Sequence, residues 1–282
     1  MKPSTLATVL SAGIWLGIGS TAAYDPVQPT ETSPQPEATS DDGGRKLFPH
    51  VRINTQDRWL ELDGFVPIDV NDPDAPLVYL EQFVCARESP EIAASKEHES
   101  LVSTNAKASH IHAGLLLLNL EPGSPTKWRT EEDGSITAID PTGSELRVEF
   151  IWTDEDGQTH TVKPQDWVRH FETKERFPEG HWVFSGSKFV DYGRGEVYDA
   201  DHSGLIVGLT SFGGEVVSWH SAIHHDSGVA TPVWAANNET VPKFKTPVRV
   251  RLYAVDHPEP EPDSSPSAEN QTESESVGPK GR

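Results

Sequence analysis

A single cysteine, Cys85, stands in the 282 residues, so no disulfide can close within the chain. The fold must hold by packing alone, which a domain of roughly 200 residues can do. Basic charge is scarce as well: 23 Lys and Arg face 44 Asp and Glu, giving a formal charge of −21. That balance repels phosphate backbones and anionic lipid surfaces, so neither a nucleic-acid nor a membrane-surface partner is expected. The apolar run Leu6 to Gly19 is interrupted by Ser11 and Gly13, and it falls short of the about 20 residues of a membrane span. Catalytic signatures are missing too. No Gly-x-Ser-x-Gly elbow occurs. Ser185-Gly186-Ser187 and Thr210-Ser211-Phe212-Gly213-Gly214 lack the strand–loop–helix setting of a phosphate site. No internal repeat is evident.

What is present begins with an address. Lys2, the apolar run and the small residues Ser20 to Ala23 have the layout of a cleavable secretory signal over residues 1–23. The alternative is a retained N-terminal anchor. No cysteine stands at the end of the apolar run, so a lipid-modified N-terminus is not expected, and a periplasmic or secreted protein is. Residues 24–44 are rich in Pro, Thr, Ser and Glu, with almost nothing large and apolar to bury; they read as a disordered linker. Residues 257–282 read as a disordered acidic tail. The globular domain is therefore expected over 45–256.

Strand signals dominate that domain. Val51 to Asn54 and Trp59 to Leu62 alternate around a polar turn, and Asp63-Gly64 reads as a further turn before Phe65 to Ile68. Leu77 to Ala86 and Glu97 to Ser103 look like strands, as do Leu146 to Trp152, His160 to Trp167 and His181 to Val190. Leu205 to Ser211, Glu215 to Trp219 and Val248 to Val255 complete the set. Ala106 to Leu120 reads as a helix capped by Asn105, apolar nearly all round through Leu115 to Leu118 and so buried. Without βαβ alternation, the fold class is α+β: a mostly antiparallel sheet with one principal buried helix packed on it.

The chemistry-bearing stretch is Lys96-Glu97-His98-Glu99-Ser100, followed by Ser109-His110-Ile111-His112. Glu97, His98, Glu99, Ser100, His110, His112 and the upstream Cys85 form the candidate functional cluster. Imidazole and thiolate suit a divalent transition metal, for which Cys85, His98 and His110 are the candidate ligands. In a helix, His110 and His112 point about 200° apart, so only one of them can join a shared centre. Cys85 could instead be a nucleophile with His98 or His110 as base. A buried cysteine acting as a small hydrophobe is the plainer reading. His220, His224 and His225 read as a solvated loop, with a metal held by His220 and His224 on one helix face as the alternative. Trp152, Trp167, Trp182, Trp219 and Trp234 read as core packing, with a binding groove as the alternative.

The Lys96-Glu97-His98-Glu99-Ser100 block, Ala108 to Ala113 and Glu121-Pro122-Gly123 resemble the YdjY-like domain of bacterial exported proteins. So do Val148 to Asp154, Gln165 to Val168, Trp182 to Ser187 and Pro242 to Leu252, and the resemblance spans roughly 47–255. It implies no established activity. Some members of the family carry ferredoxin-like or oxidoreductase labels, but an iron–sulfur cluster needs about four cysteines and is argued against here. The function expected is a non-catalytic binding or accessory module. The alternative is a metal-binding or redox-accessory protein using Cys85, His98 and His110 or His112.

Overall fold

The computed structural model describes residues 42–72, 74–92, 95–193 and 195–255. The expected signal peptide, most of the linker (24–41) and the acidic tail lie outside the described residues. Eleven strands form one sheet. In chain order they are β1 (Arg45–Phe48), β2 (Val51–Asn54), β3 (Trp59–Phe65), β4 (Gln82–Ala86), β5 (Ser100–Thr104) and β6 (Glu145–Thr153). They continue with β7 (Thr159–Val162), β8 (Trp182–Val183), β9 (Leu205–Gly208), β10 (Ser218–Trp219) and β11 (Pro247–Ala254). The main path runs β9-β4-β5-β3-β11-β6-β8-β10, with β1-β2 and β7 as additions at the side. The sheet is mixed but mostly antiparallel; β4 and β5 are a parallel pair. Its two ends meet: Val207 bridges Val217, and the Gly208 N–H donates to the Val217 carbonyl at 2.9 Å. The sheet thus closes nearly into a barrel.

Alternation explains the central strands. In β6 the side chains of Leu146, Val148 and Phe150 are buried, as are Val248, Val250 and Leu252 in the paired β11. A strand directs alternate residues to one face, so each contributes a row to the same core. The Val51–Asn54 and Trp59–Leu62 hairpin forms as the alternation implies, with Asn54 opposite Trp59. Asp63-Gly64 is not a turn, because β3 runs straight through it. A Cβ at Gly64 would come within 2.7 Å of Val102 and 2.8 Å of the Ser103 carbonyl. This glycine serves the close approach of β5, not a reversal of the chain.

The principal helix, α1 (Ala108–Leu117), is shorter than the Ala106 to Leu120 expected. Asn105 does not cap it; the Ser109 N–H donates instead to the Asp201 carboxylate at 2.8 Å. Asn119, at a positive φ of 57°, turns the chain out of the helix. Leu115 and Leu118 are buried, whereas Leu116 and Leu117 are about half exposed, so the helix is not apolar-buried on every side. Its inner face carries Gly114, where a Cβ would lie 2.5 Å from Leu60 of β3. A second, five-residue helix, α2 (Asp199–Ser203), ends at Gly204 in the left-handed region. Among the described residues no helix is long and apolar enough to cross a membrane.

The domain starts before Arg45. Asp42, expected in the linker, lies 2.7 Å from Arg52 and 2.8 Å from Arg251. Both arginines also reach Glu61, which is 1% exposed on β3.

Candidate functional site

Glu97–Glu99 form a single 3-10 turn leading into β5, where the sequence suggested a continuous strand. The turn sends its side chains three ways. Glu97 faces inward along β5, accepting a hydrogen bond from the Ser103 hydroxyl at 2.7 Å and from the Glu88 N–H at 3.2 Å. His98 points out, its side chain 71% exposed, with Glu99 3.7 Å away. Lys96 and Glu99 turn to Glu81, the residue before β4.

The inward half is sealed. Cys85 is fully buried on β4 beside the Ser100 and Ser103 hydroxyls. Burial pushes its thiol up to about 12; the serine hydroxyls offset part of that and the Glu97 charge adds to it. A thiol so placed is neither an available nucleophile nor a ready thiolate ligand.

The outward half is open and charged. Lys96 Nζ lies 2.5 Å from Glu81 and 3.3 Å from Glu99, so one cation serves two carboxylates. Burial, reinforced by the hydrogen bond with Glu99 and opposed by Lys96, raises Glu81 to about 7. Burial opposes ionisation of Glu99 also, but the Glu81 hydrogen bond and the Lys96 charge hold it below the ordinary carboxylate value. The two acids thus share a proton near neutrality.

The two carboxylates, Glu81 and Glu99, line a pocket of about 90 Å³. Tyr79, Leu80, Leu209, Ile223 and Trp234 contribute apolar wall, while Glu81, Glu99, Thr210, His224 and His225 contribute polar groups. The two histidines stack at 5.1 Å and 7°, with Trp128 4.3 Å from His224 and Phe212 4.6 Å from His225. His225 Nδ1 is 2.9 Å from the Ser211 carbonyl, so it carries the proton and donates. His224 Nδ1 accepts from the Asp226 N–H at 3.0 Å. Lys96 also lies 5.1 Å over the Phe212 ring, tying the turn to this column.

The loop beneath is held from inside. Fully buried Glu215 accepts the backbone N–H groups of Phe212, Gly213 and Gly214. Burial raises its pKa, and those three amides work against the rise. Phe212 to Gly214 is therefore an anion nest after all, and the anion it holds is the chain's own carboxylate.

The structure does not gather the expected ligands. Cys85 lies in the interior, His98 projects to solvent, and His110 stacks on Phe48 at 4.4 Å. His112 sits on the other side of α1, its Nδ1 2.9 Å from the Tyr198 hydroxyl, so helical geometry separates the two histidines as the spacing implies. Burial lowers the pKa of His112. Among the described residues no group of three or more His, Cys, Asp or Glu is placed to hold a metal ion. Of the candidate cluster, Glu99 lines the pocket, Ser100 is buried with its hydroxyl donating to the Lys96 carbonyl at 2.6 Å, and Glu97 serves β5. His220, His224 and His225 lie outside helices and strands; His220 stacks on His181, whereas His224 and His225 stack on each other. Trp167, Trp182 and Trp219 are core, as expected, whereas Trp234 lines the pocket. Sequence reasoning missed Glu81 and Trp128. The signal for Glu81 was a lone acid in an apolar strand-like run.

The family model described as the YdjY domain matches residues 69–253. No curated protein and no solved structure matches the chain.

Proposed function

The chain belongs to the YdjY domain family, and on that premise we propose that it is an exported, non-catalytic binding module whose ligand enters the Glu81–Glu99 pocket. One observation carries the reading. The most distinctive block of the sequence, Lys96 to Ser100, contributes Glu99 to the wall of an apolar pocket and fixes Glu81 through Lys96. Small-ligand sites have this composition: mostly apolar walls with a few convergent polar groups. The layout suits binding better than covalent turnover, since the one thiol is buried away from the pocket. Residues 1–23, with their secretory layout, support export.

The test is a fragment titration of the mature chain followed by the indole resonance of Trp234, repeated on Ala230→Phe. Ala230 is an exposed residue on the pocket rim. Fragments that shift the Trp234 signal in the parent chain and lose affinity at least tenfold in the variant support the reading. Fragments that bind equally well to both overturn it. N-terminal sequencing of protein recovered from the periplasm or medium checks export, with a start after Ala23 expected.

A further inference from the structure

We infer that the pocket takes a small organic cation, a primary alkylammonium of a few heavy atoms, as the second cation of the Glu81–Lys96–Glu99 cluster. This rests on the binding reading above and names its ligand class. Three independent observations support it. The first is charge: two carboxylates face the single ammonium of Lys96, so the fully ionised cluster carries one unbalanced negative charge. The second is the rest of the wall: Tyr79 and Trp234, the aromatic side chains that attract ammonium groups, line the same pocket as the two carboxylates. The third is size. About 90 Å³ is less than the roughly 150 Å³ of a cavity that admits benzene, so the pocket suits a compact head group.

The proton already on the cluster makes the inference testable. Of the groups facing Glu81, Lys96 lowers its proton affinity and Glu99 raises it; His98 adjoins Glu99 from outside, and His224 and His225 face it across the pocket. An entering ammonium takes the place of the shared proton, which leaves to buffer. With Glu81 near 7, affinity should rise by about tenfold from pH 6 to pH 8.

The experiment titrates the mature chain with propylammonium chloride, 1-propanol, sodium propionate and potassium chloride. Calorimetry at pH 6 and pH 8, in buffers of different ionisation heat, reads affinity and proton release; the Trp234 indole signal locates binding. The expected result is propylammonium binding at Trp234 with close to one proton released at pH 6 and a tenfold gain at pH 8. Glu81→Gln should weaken it at pH 8 and flatten the pH dependence. Glu99→Gln, at a half-buried position, should weaken it in a chain whose folding is checked by circular dichroism. Propanol or propionate binding at Trp234 as well as propylammonium, or potassium competing equally, overturns the cation assignment and leaves the binding module standing. No Trp234 shift with any of the probes, together with no fragment sensitive to Ala230→Phe, overturns both.

Discussion

Two acidic clusters lie on one sheet and are balanced in opposite ways. On β3, Glu61 is contacted by Arg52 at 2.7 Å, by Arg249 at 3.4 Å and by Arg251, and Asp42 joins Arg52 and Arg251. Among the described residues three arginines surround Glu61 and Asp42, and Arg251 lies 4.1 Å over the Trp59 ring. Beside β4 the ratio is inverted, with Glu81 and Glu99 on one lysine and a pocket adjoining them. The first cluster is saturated and pins the N-terminal residues to the sheet. The second is short of positive charge and accessible. A buried acid ringed by arginines is built for holding; two acids on one lysine have room for a partner.

The largest expected effect tests the holding cluster. Glu61→Ala leaves three arginines facing a nearly inaccessible site, and breaking such a buried pair costs about 3 kcal/mol. Urea unfolding should show a loss of that order; a loss under 1 kcal/mol would remove the distinction between the clusters. Next in size is Gly114→Ala, where the added methyl meets Leu60 2.5 Å away. Overpacking there should cost about 1–2 kcal/mol despite alanine's better helix propensity, read as a lowered urea midpoint.

The accessible cluster should instead show itself in pH. Folded Glu81 holds its proton more tightly than the unfolded chain does, with a pKa of about 7 against 4.5. The stability it contributes is therefore complete below pH 4.5 and is lost as pH rises to 7. Glu99 has the opposite sign: held below 4.5, its contribution is present above that value and is lost as pH falls through its depressed pKa. Stability from this cluster should peak around pH 4.5 to 5. Glu81→Gln should flatten the decline above it, and an unchanged slope would disprove the sharing of a proton.

Cys85 provides a check on the sealed side of the turn. It should resist thiol reagents in the folded chain and react promptly in denaturant. The smallest effect belongs to His98→Ala, expected within about 0.5 kcal/mol of the parent because the ring is in solvent. A loss of ligand binding in that variant would return His98 to the site.

Much of the local structure was legible in the sequence because alternation is a local signal. The Val51–Leu62 hairpin and the β6 and β11 strands follow from it, and so does the separation of His110 from His112 around a helix. Partner choice was not legible. The parallel pairing of β4 with β5, and the antiparallel pairing of β4 with β9 some 120 residues later, place Glu81 beside Thr210 and the His224–His225 loop. Nothing in a residue pattern states which strands will be neighbours. Within Lys96 to Ser100 the strand reading failed because the first residues form a 3-10 turn, whose period of three separates Lys96 and Glu99 from Glu97. The Asp63-Gly64 pair misled for another reason: its glycine answers to the backbone of β5, not to a bend.

The closing seam of the barrel has a kinetic consequence. Three backbone bonds join its edges, from Val216 to Leu205, from Val217 to Ile206 and from Gly208 to Val217. So short a clasp can part without melting the antiparallel ladder of β3, β11 and β6, which is the character of a sub-global opening. Its deuterium uptake should outpace that of Val250 or Phe150 by orders of magnitude. Leu209 and Thr210, which line the pocket, follow β9 directly. Occupancy of the pocket should therefore be recorded at the clasp, as slower exchange of the Gly208 and Val217 amides.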